Sequence, residues 1–217
     1  MRPILDNFGW LGKSVFSPLG IDMERYKPQP PAERDHLVLL APARHYHWEK
    51  GNDRIIAAFA AYVQRNPTAE LRMCGWGGND QALSEMMVYK YGISKNVTWL
   101  PILSKPQLIK EYNGSDIVLD QFVYPASGSC TPEAMACGKP VISHIDPDLF
   151  TQHFDSVPPV AAANTTPEIY EQMCRLEDEG LRRVLGSYGR EWVQRNQDIK
   201  VVAEKEVRLY KQVIEGG

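Results

Sequence analysis

At 217 residues and a formal net charge of −3, the chain has the length of one substantial domain and no positive field to draw it onto nucleic acid. Apolar residues at 43% and charged residues at 24% match an ordinary globular protein, which excludes a low-complexity or fibrous chain. No run approaches the ~18 apolar residues that cross a bilayer, and Met1 to Trp10 contains no uninterrupted apolar stretch of the signal-peptide kind. A cytoplasmic protein, at most peripheral to a membrane, is expected.

In chain order, residues 23–36 are polar and proline-rich and read as an extended connector. His36 to Pro42 is a short apolar run, expected as a buried strand. Asn52 to Gln64 carries Ile55, Ile56, Phe59, Ala60 and Val63 on one helical stripe, which Asn66-Pro67 stops. Glu70 to Cys74 is the next strand, and Asp80 to Tyr91 a helix closed by Gly92. The alternation continues through Val97 to Leu100, Pro106 to Tyr112, Ile117 to Leu119, Pro132 to Cys137 and Lys139 to Ser143. Val157 to Val160 is a candidate sixth strand, followed by helices over about 167–177, 178–194 and 198–214. Strands separated by helices predict an α/β fold: a Rossmann-like, doubly wound parallel sheet of about six strands with helices on both faces. Ligands of such sheets sit at the carboxyl ends of the strands. Arg44, Gly75 to Gly78 and the Ser127–Glu133 loop all follow strands, so they converge on one edge.

The segment Ser127-Gly-Ser-Cys-Thr-Pro-Glu-Ala-Met-Ala-Cys-Gly-Lys-Pro-Val-Ile142 is the most informative. Thr131 is placed to cap a helix, Pro132 to occupy its first position and Glu133 to lie in its first turn. Gly138 then ends the helix. Two readings of the local pattern stay open: an anion site at a helix start, or a carboxylate that only complements the helix dipole. Arg44 and Lys50 likewise read either as phosphate ligands or as a solvated loop. His45 and His47 read as surface loop residues. Cys74, Cys130, Cys137 and Cys174 form no C-x-x-C pair, and His144 and His153 lack a metal-like partner, so free thiols and no metal site are expected. Asp146-Pro-Asp148 resembles an acidic metal motif only superficially. Trp10, Trp76 and Trp192 read as packing residues.

Glu133-Ala-Met-Ala-Cys-Gly-Lys-Pro-Val-Ile142 resembles the EAMACGxPVI signature of retaining glycosyltransferases of family 4, a GT-B group that uses nucleotide-sugar donors. Other elements follow in the family's order over roughly residues 17–214. Pro18-Leu-Gly-Ile-Asp22 resembles its PNGID segment, and Arg44 with Lys50-Gly51 its R-x5-K-G element. Leu71 to Gly78 resembles its strand followed by G-x-G, and Ser115 to Leu119 the strand before the signature. Gly189-Arg190 and the last helix, with Tyr210, resemble the family's tail. The resemblance covers the C-terminal, donor-binding half.

That resemblance implies metal-independent transfer from a nucleotide-diphosphate sugar to a glycan, lipid or small-molecule acceptor. Arg44 and Lys50 would stabilise the diphosphate leaving group. Gly75, Gly77, Ser127, Gly128, Ser129, Cys130 and Thr131 would line the donor site, and Glu133 would hold the ribose. Trp99 to Ile102 falls where the family contacts the nucleobase through the main chain. One departure stands out: the first glutamate of the family's E-x7-E motif, which faces the transferred sugar, is Pro125 here. Asp120-Gln121 is the nearest polar pair that would substitute for it. By the same resemblance, residues 1–28 are an N-terminal segment and connector, 29–195 the nucleotide-sugar-binding domain and 196–217 a crossover helix. An acceptor-binding domain is expected from elsewhere, in trans or on a longer chain, unless this half works alone, and an apolar patch is expected to lie exposed over 198–214 or along the sheet's cleft-facing edge. Two further functions fit the pattern: a non-catalytic nucleotide-sugar-binding subunit and, less well, one half of a nucleotide-sugar epimerase.

Overall fold

A computed structural model describes residues 14–30 and 33–215. Six strands form one all-parallel sheet: β1 (Val38–Ala41), β2 (Glu70–Cys74), β3 (Val97–Leu100), β4 (Ile117–Leu119), β5 (Val141–Ser143) and β6 (Ala161–Ala162). Their spatial order is β3-β2-β1-β4-β5-β6. The chain therefore reverses its winding between β1 and β4, where Leu39 pairs with Ile117. All residues of β1, β4 and β5 are buried, as a sheet covered on both faces requires.

The helices are α1 (His47–Lys50), α2 (Asn52–Arg65), α3 (Gln81–Lys90), α4 (Lys105–Asn113), α5 (Cys130–Ala136), α6 (Pro147–Thr151), α7 (Thr166–Arg175), α8 (Glu179–Asn196) and α9 (Ile199–Glu215), with a 3-10 turn at Ser94–Asn96. One face of the sheet is covered by α2, α3 and α7 through Ile55, Phe59, Val88, Ile169 and Met173. The other is covered by α4, α5 and α8 through Ile109, Tyr112, Met135, Trp192 and Val193. Ile21, Met23 and Tyr26 join this second core, and Arg190 donates to the Tyr26 and Ala136 carbonyls. The segment after Ile21 is thus a turn docked on the domain rather than a free extended stretch. Ile21 also forms a parallel bridge with Asp198 at the head of α9.

The sixth strand falls at Ala161–Ala162, just after the Val157–Val160 segment expected from hydropathy. Val160 is instead a packing residue outside the ladder. In α9 only Val202 is buried, while Ile199, Val207, Tyr210, Val213 and Ile214 lie exposed, as the apolar pattern of that segment anticipates. Trp192 packs among Phe150 and Phe154. Trp76 packs only in part, 37% exposed on the loop after β2. Trp10 lies outside the described residues.

Candidate functional site

The carboxyl ends of β1 and β4 diverge at the topological switch, and the crevice this opens is where ligands of such sheets bind. The segment after β1 carries Arg44 and, at the end of α1, Lys50, and the segment after β4 carries Asp120, Gln121 and the Ser127–Thr131 stretch that runs into α5. The two loops are joined. Lys50 Nζ donates to Gln121 Oε1 at 2.6 Å, and the Phe122 amide donates to the Lys50 carbonyl at 2.9 Å. Arg44 is exposed, with its guanidinium 5.8 Å from the Tyr46 ring, and it pairs with no carboxylate among the described residues. One cation is thus held across the switch and the other is uncommitted.

Gly77 and Gly78 fix the Arg44 loop from the β2 side. Both adopt positive φ, 77° and 91°. A Cβ on Gly77 would lie 2.9 Å from Arg44 Cδ, so the arginine stem packs on the bare glycine. The Gly77 carbonyl accepts from the His45 amide, and the Asp80 amide donates to the His45 carbonyl. At Gly75 an added Cβ would lie 2.8 Å from the Leu100 carbonyl oxygen, so this glycine allows close strand packing.

His45 is not the surface residue its loop position suggests. It is fully buried, with Nε2 2.6 Å from the Cys74 carbonyl and Nδ1 2.8 Å from Ser84 Oγ. A carbonyl only accepts, so Nε2 carries the proton and the Ser84 hydroxyl donates to Nδ1. Ser84 Oγ then accepts from His47 Nε2, at 2.9 Å. Burial lowers the His45 pKa below its ordinary value. The unfolded chain takes up this proton near pH 6.5, whereas the folded site resists it. As pH falls below about 6.5, the unfolded state therefore binds more protons and the fold loses stability. An NMR titration is expected to find the His45 imidazole titrating below its ordinary value, with the thermal midpoint falling as pH drops from about 7 to 5. A His45 that titrates at its unperturbed value would remove this account.

The loop before α5 differs from the capping pattern expected of it. The helix begins at Cys130, two residues ahead of the expected start at Pro132, and Thr131 does not cap it. The Thr131 amide and hydroxyl both donate to Asp120 Oδ2, at 3.2 and 2.7 Å. The Gly128 amide also serves Asp120. Thr131 and Gly128 therefore turn these donors inward rather than toward a ligand. Asp120 is 1% exposed, and burial raises its pKa above the usual carboxylate range against the opposing influence of Thr131 and Lys50. Gly128 lies over this group: a Cβ there would be 3.5 Å from Asp120 Oδ2 and 3.8 Å from Lys50 Nζ. Ser127 is half-buried and Ser129 exposed, and both line the cavity that Pro125 helps to wall. Burial pushes the Cys130 thiol up to about 12, so it is no nucleophile.

Glu133 is 4% exposed, beneath the same loop. Its Oε2 accepts from the Tyr112 hydroxyl at 3.0 Å and its Oε1 from Lys105 Nζ at 2.5 Å. Lys105, at the head of α4, escaped sequence reasoning because no local pattern links it to a carboxylate 28 residues away. Pro125, at the position where the family pattern calls for an acid, helps wall an apolar cavity of about 690 Å³ with Phe16, Leu19, Tyr124, Leu149 and Phe154. No cluster of three or more metal-ligating side chains occurs among the described residues, and no helix there is long and apolar enough to cross a membrane.

A parallel sheet in this order, with basic and glycine-rich loops at its switch point, defines a Rossmann-like domain of the GT-B glycosyltransferase fold. The chain belongs to the family of glycosyl transferases group 1, whose model matches residues 22–149. It is 24% identical over 210 residues to a GDP-mannose-dependent monoacylated alpha-(1-6)-phosphatidylinositol monomannoside mannosyltransferase of Corynebacterium glutamicum, covering 87% of this chain and 53% of the relative. It is 30% identical over 138 residues to a D-inositol 3-phosphate glycosyltransferase of Pseudarthrobacter chlorophenolicus, covering 58% and 33%. The chain thus spans about half the length, or less, of these curated relatives. Among solved structures, sucrose-phosphate synthase from Thermosynechococcus elongatus superposes with a TM-score of 0.79 at 22% identity, over 100% of this chain and 57% of that one. HepE from Anabaena, solved in complex with UDP and glucose, gives 0.75 at 17% identity, over 93% and 58%. The C-terminal domain of a glycosyl transferase group 1 protein from Francisella tularensis is covered in full, with a TM-score of 0.65 at 18% identity over 83% of this chain.

Proposed function

We propose that this chain is the donor-binding half of a retaining glycosyltransferase that takes a nucleotide-diphosphate hexose and uses no metal. The observation that carries the reading is the pair of cations at the sheet's switch point: Arg44 free of any described carboxylate, and Lys50 held by Gln121 across the two loops. In glycosyl transfer the bond from the anomeric carbon to the diphosphate breaks while the acceptor oxygen bonds to that carbon. Charge grows on the departing phosphate oxygen, and a preorganised cation or donor there is typically worth ~3 kcal/mol. Asp120 and Glu133, the carboxylates nearest the loop, are buried and already hydrogen-bonded, which disfavours a covalent glycosyl intermediate on either. Retention then follows from attack on the leaving group's own face, with the acceptor's proton passing to the departing phosphate.

GDP- and UDP-hexoses are the first donors to try, since one relative is named for GDP-mannose and HepE was solved with UDP and UDP-glucose. The exposed face of α9 would meet an acceptor-binding domain or subunit. One observation favours a second reading, a nucleotide-sugar-binding subunit without transfer: an apolar wall containing Pro125 stands where a sugar-facing carboxylate is expected.

The test is thermal stabilisation by UDP, GDP, ADP and their sugar conjugates, with wild type beside Arg44→Ala. A ligand at about 100 times its dissociation constant stabilises the fold by ~2.7 kcal/mol. A shift selective for one nucleotide and lost in Arg44→Ala is expected. No shift with any diphosphate would sink the donor-site reading.

A further inference from the structure

The amino ends of β1 and β4 meet at the sheet edge opposite the switch-point crevice. They frame an open cavity of about 260 Å³ lined by Arg34, His36, Asn66, Asp116 and Arg182. The topology assembles it. Arg34 and His36 lie just before β1 and Asp116 just before β4, Asn66 ends α2, and Arg182 sits in the first turn of α8. The Asp116 amide donates to the Val38 carbonyl, and Asp116 Oδ2 accepts from the Val38 amide, both at 2.8 Å. The same oxygen accepts from Arg34 Nη2 at 3.0 Å, while Arg34 Nη1 donates to the Gly114 carbonyl.

Charge does not balance here. Three cations, Arg34, Arg182 and Lys139, gather around the carboxylate of Asp116. Lys139 Nζ donates to the Asn113 carbonyl at 2.9 Å. Burial is the main cause that lowers the Lys139 pKa, and Arg34 and Arg182 push the same way against Asp116 and Cys137, so the three positive groups feel one another. Other acids are committed elsewhere. Glu70, 3.8 Å from His36, is paired with Arg72, Glu177 is paired with Arg65, and the Asp35 side chain is 98% exposed. An Arg34–Asp116 pair that only pins the connector accounts for one cation and leaves two over. Donors are left over as well. Arg34 Nε is buried without a partner among the described residues. Arg182 spends only Nη1, on the Leu176 and Glu177 carbonyls at 2.7 and 2.8 Å, so its Nε–Nη2 edge carries no bond among the described residues. Such an edge grips an oxyanion through two parallel hydrogen bonds.

We propose that this cavity is a binding site for a phosphoryl group, as free phosphate or as the phosphate of a small monoester, held by Arg182 in the field of Arg34 and Lys139. A phosphate ester carries about two negative charges near neutral pH, which matches the excess of the three cations over Asp116. The cavity is smaller than the roughly 300–1,000 Å³ of pockets for drug-sized ligands, so it suits a phosphoryl group with a small substituent rather than a nucleotide sugar. Bound there, the anion ties the connector before β1 to α8, the helix that packs on α5. The site uses none of the residues at the switch-point crevice and stands apart from the donor reading.

The experiment is an amide NMR titration of the whole chain with inorganic phosphate and with a hexose 6-phosphate, beside sodium chloride at matched ionic strength. Saturable shifts are expected at Leu37, Asn66 and Arg182 with the phosphates and not with chloride. Affinity should fall about tenfold in Arg182→Gln, which keeps an amide for the Leu176 and Glu177 carbonyls but loses the charge. Arg182→Lys should lose less. Tighter binding of the hexose phosphate would support the site and assign it to a monoester; equal binding would support it and assign it to free phosphate. Shifts that never saturate, or that chloride reproduces, would overturn the inference. So would saturable shifts confined to Gly77 and Gly78 beside Arg44, because phosphate would then occupy the crevice alone. Wild-type affinity in Arg182→Gln would remove the site too. The wild-type titration decides the matter even where a variant does not fold, and failure of the donor reading leaves the expected shifts unchanged.

Discussion

Gly78→Ala is expected to destabilise the domain by about 3 kcal/mol and to abolish the ordered Arg44 loop. Two separate effects add. At a φ of 91° the new side chain is strained whatever its surroundings. The added Cβ would also sit 2.0 Å from the His45 carbonyl oxygen and 2.5 Å from its carbon, and this neighbour is backbone that cannot rotate away. The loop would have to lift off β2, breaking the bonds from His45 to Gly77 and from Asp80 to His45. A loss of this size should lower the thermal midpoint by roughly 6–12 °C for a domain of this length. Gly92→Ala separates the two contributions. Gly92 also has positive φ, 69°, yet nothing lies within 4 Å of its added Cβ, so only the strain of about 1 kcal/mol remains. If the two variants melt together, the collision at His45 carries no weight. If Gly78→Ala melts low but the folded fraction binds nucleotide as wild type does, the Arg44 loop is not what positions the diphosphate.

Why the sequence revealed the winding but not the floor of the site follows from how each is encoded. The α2 stripe and the continuous apolar runs of β1 and β4 are local patterns set by burial, and the structure keeps them almost residue for residue. The glycines after β2 follow a strand end directly, whereas Arg44 and Lys50 stand out only through the family resemblance, their own pattern fitting a solvated loop equally well. Other features depend on contacts between distant segments. Thr131 has the chemistry of a helix cap, but its hydroxyl is taken by Asp120, eleven residues upstream and on another element. His45 lies in a polar loop, yet is drawn under Gly78 into bonds with Cys74 and Ser84. Lys105 shows no local signal that it reaches Glu133. The short α6 was missed for a different reason. Asp146-Pro147-Asp148 looks superficially like a metal motif, whereas the Asp146 side chain accepts from the Asp148 amide and starts a five-residue helix.

Gly186→Ala would test the packing that holds α5, and with it Glu133, against the sheet. Alanine favours a helix over glycine by about 1 kcal/mol, so propensity alone argues that the variant is the more stable protein. The structure argues the reverse. Gly186 lies in α8 where it crosses the end of α5, and its added Cβ would fall 2.0 Å from the Gly138 carbonyl oxygen and 2.8 Å from the carbon. Gly138 cannot easily retreat: its own φ is 71°, and its amide is bonded to the Met135 carbonyl. The helices must therefore separate, opening the contacts that Met135 and Val193 make in the second core. Overpacking of this kind costs about 1–3 kcal/mol, which against the propensity gain of about 1 kcal/mol leaves a net loss of up to about 2 kcal/mol. Gly189→Ala, one turn further along α8, meets only the flexible Met135 side chain at 3.0 Å and should come out near neutral. Urea unfolding of the two variants decides between them. A Gly186→Ala protein at least as stable as wild type would show that α8 is free to move off α5, and that the backbone contact at Gly138 does not fix the position of Glu133.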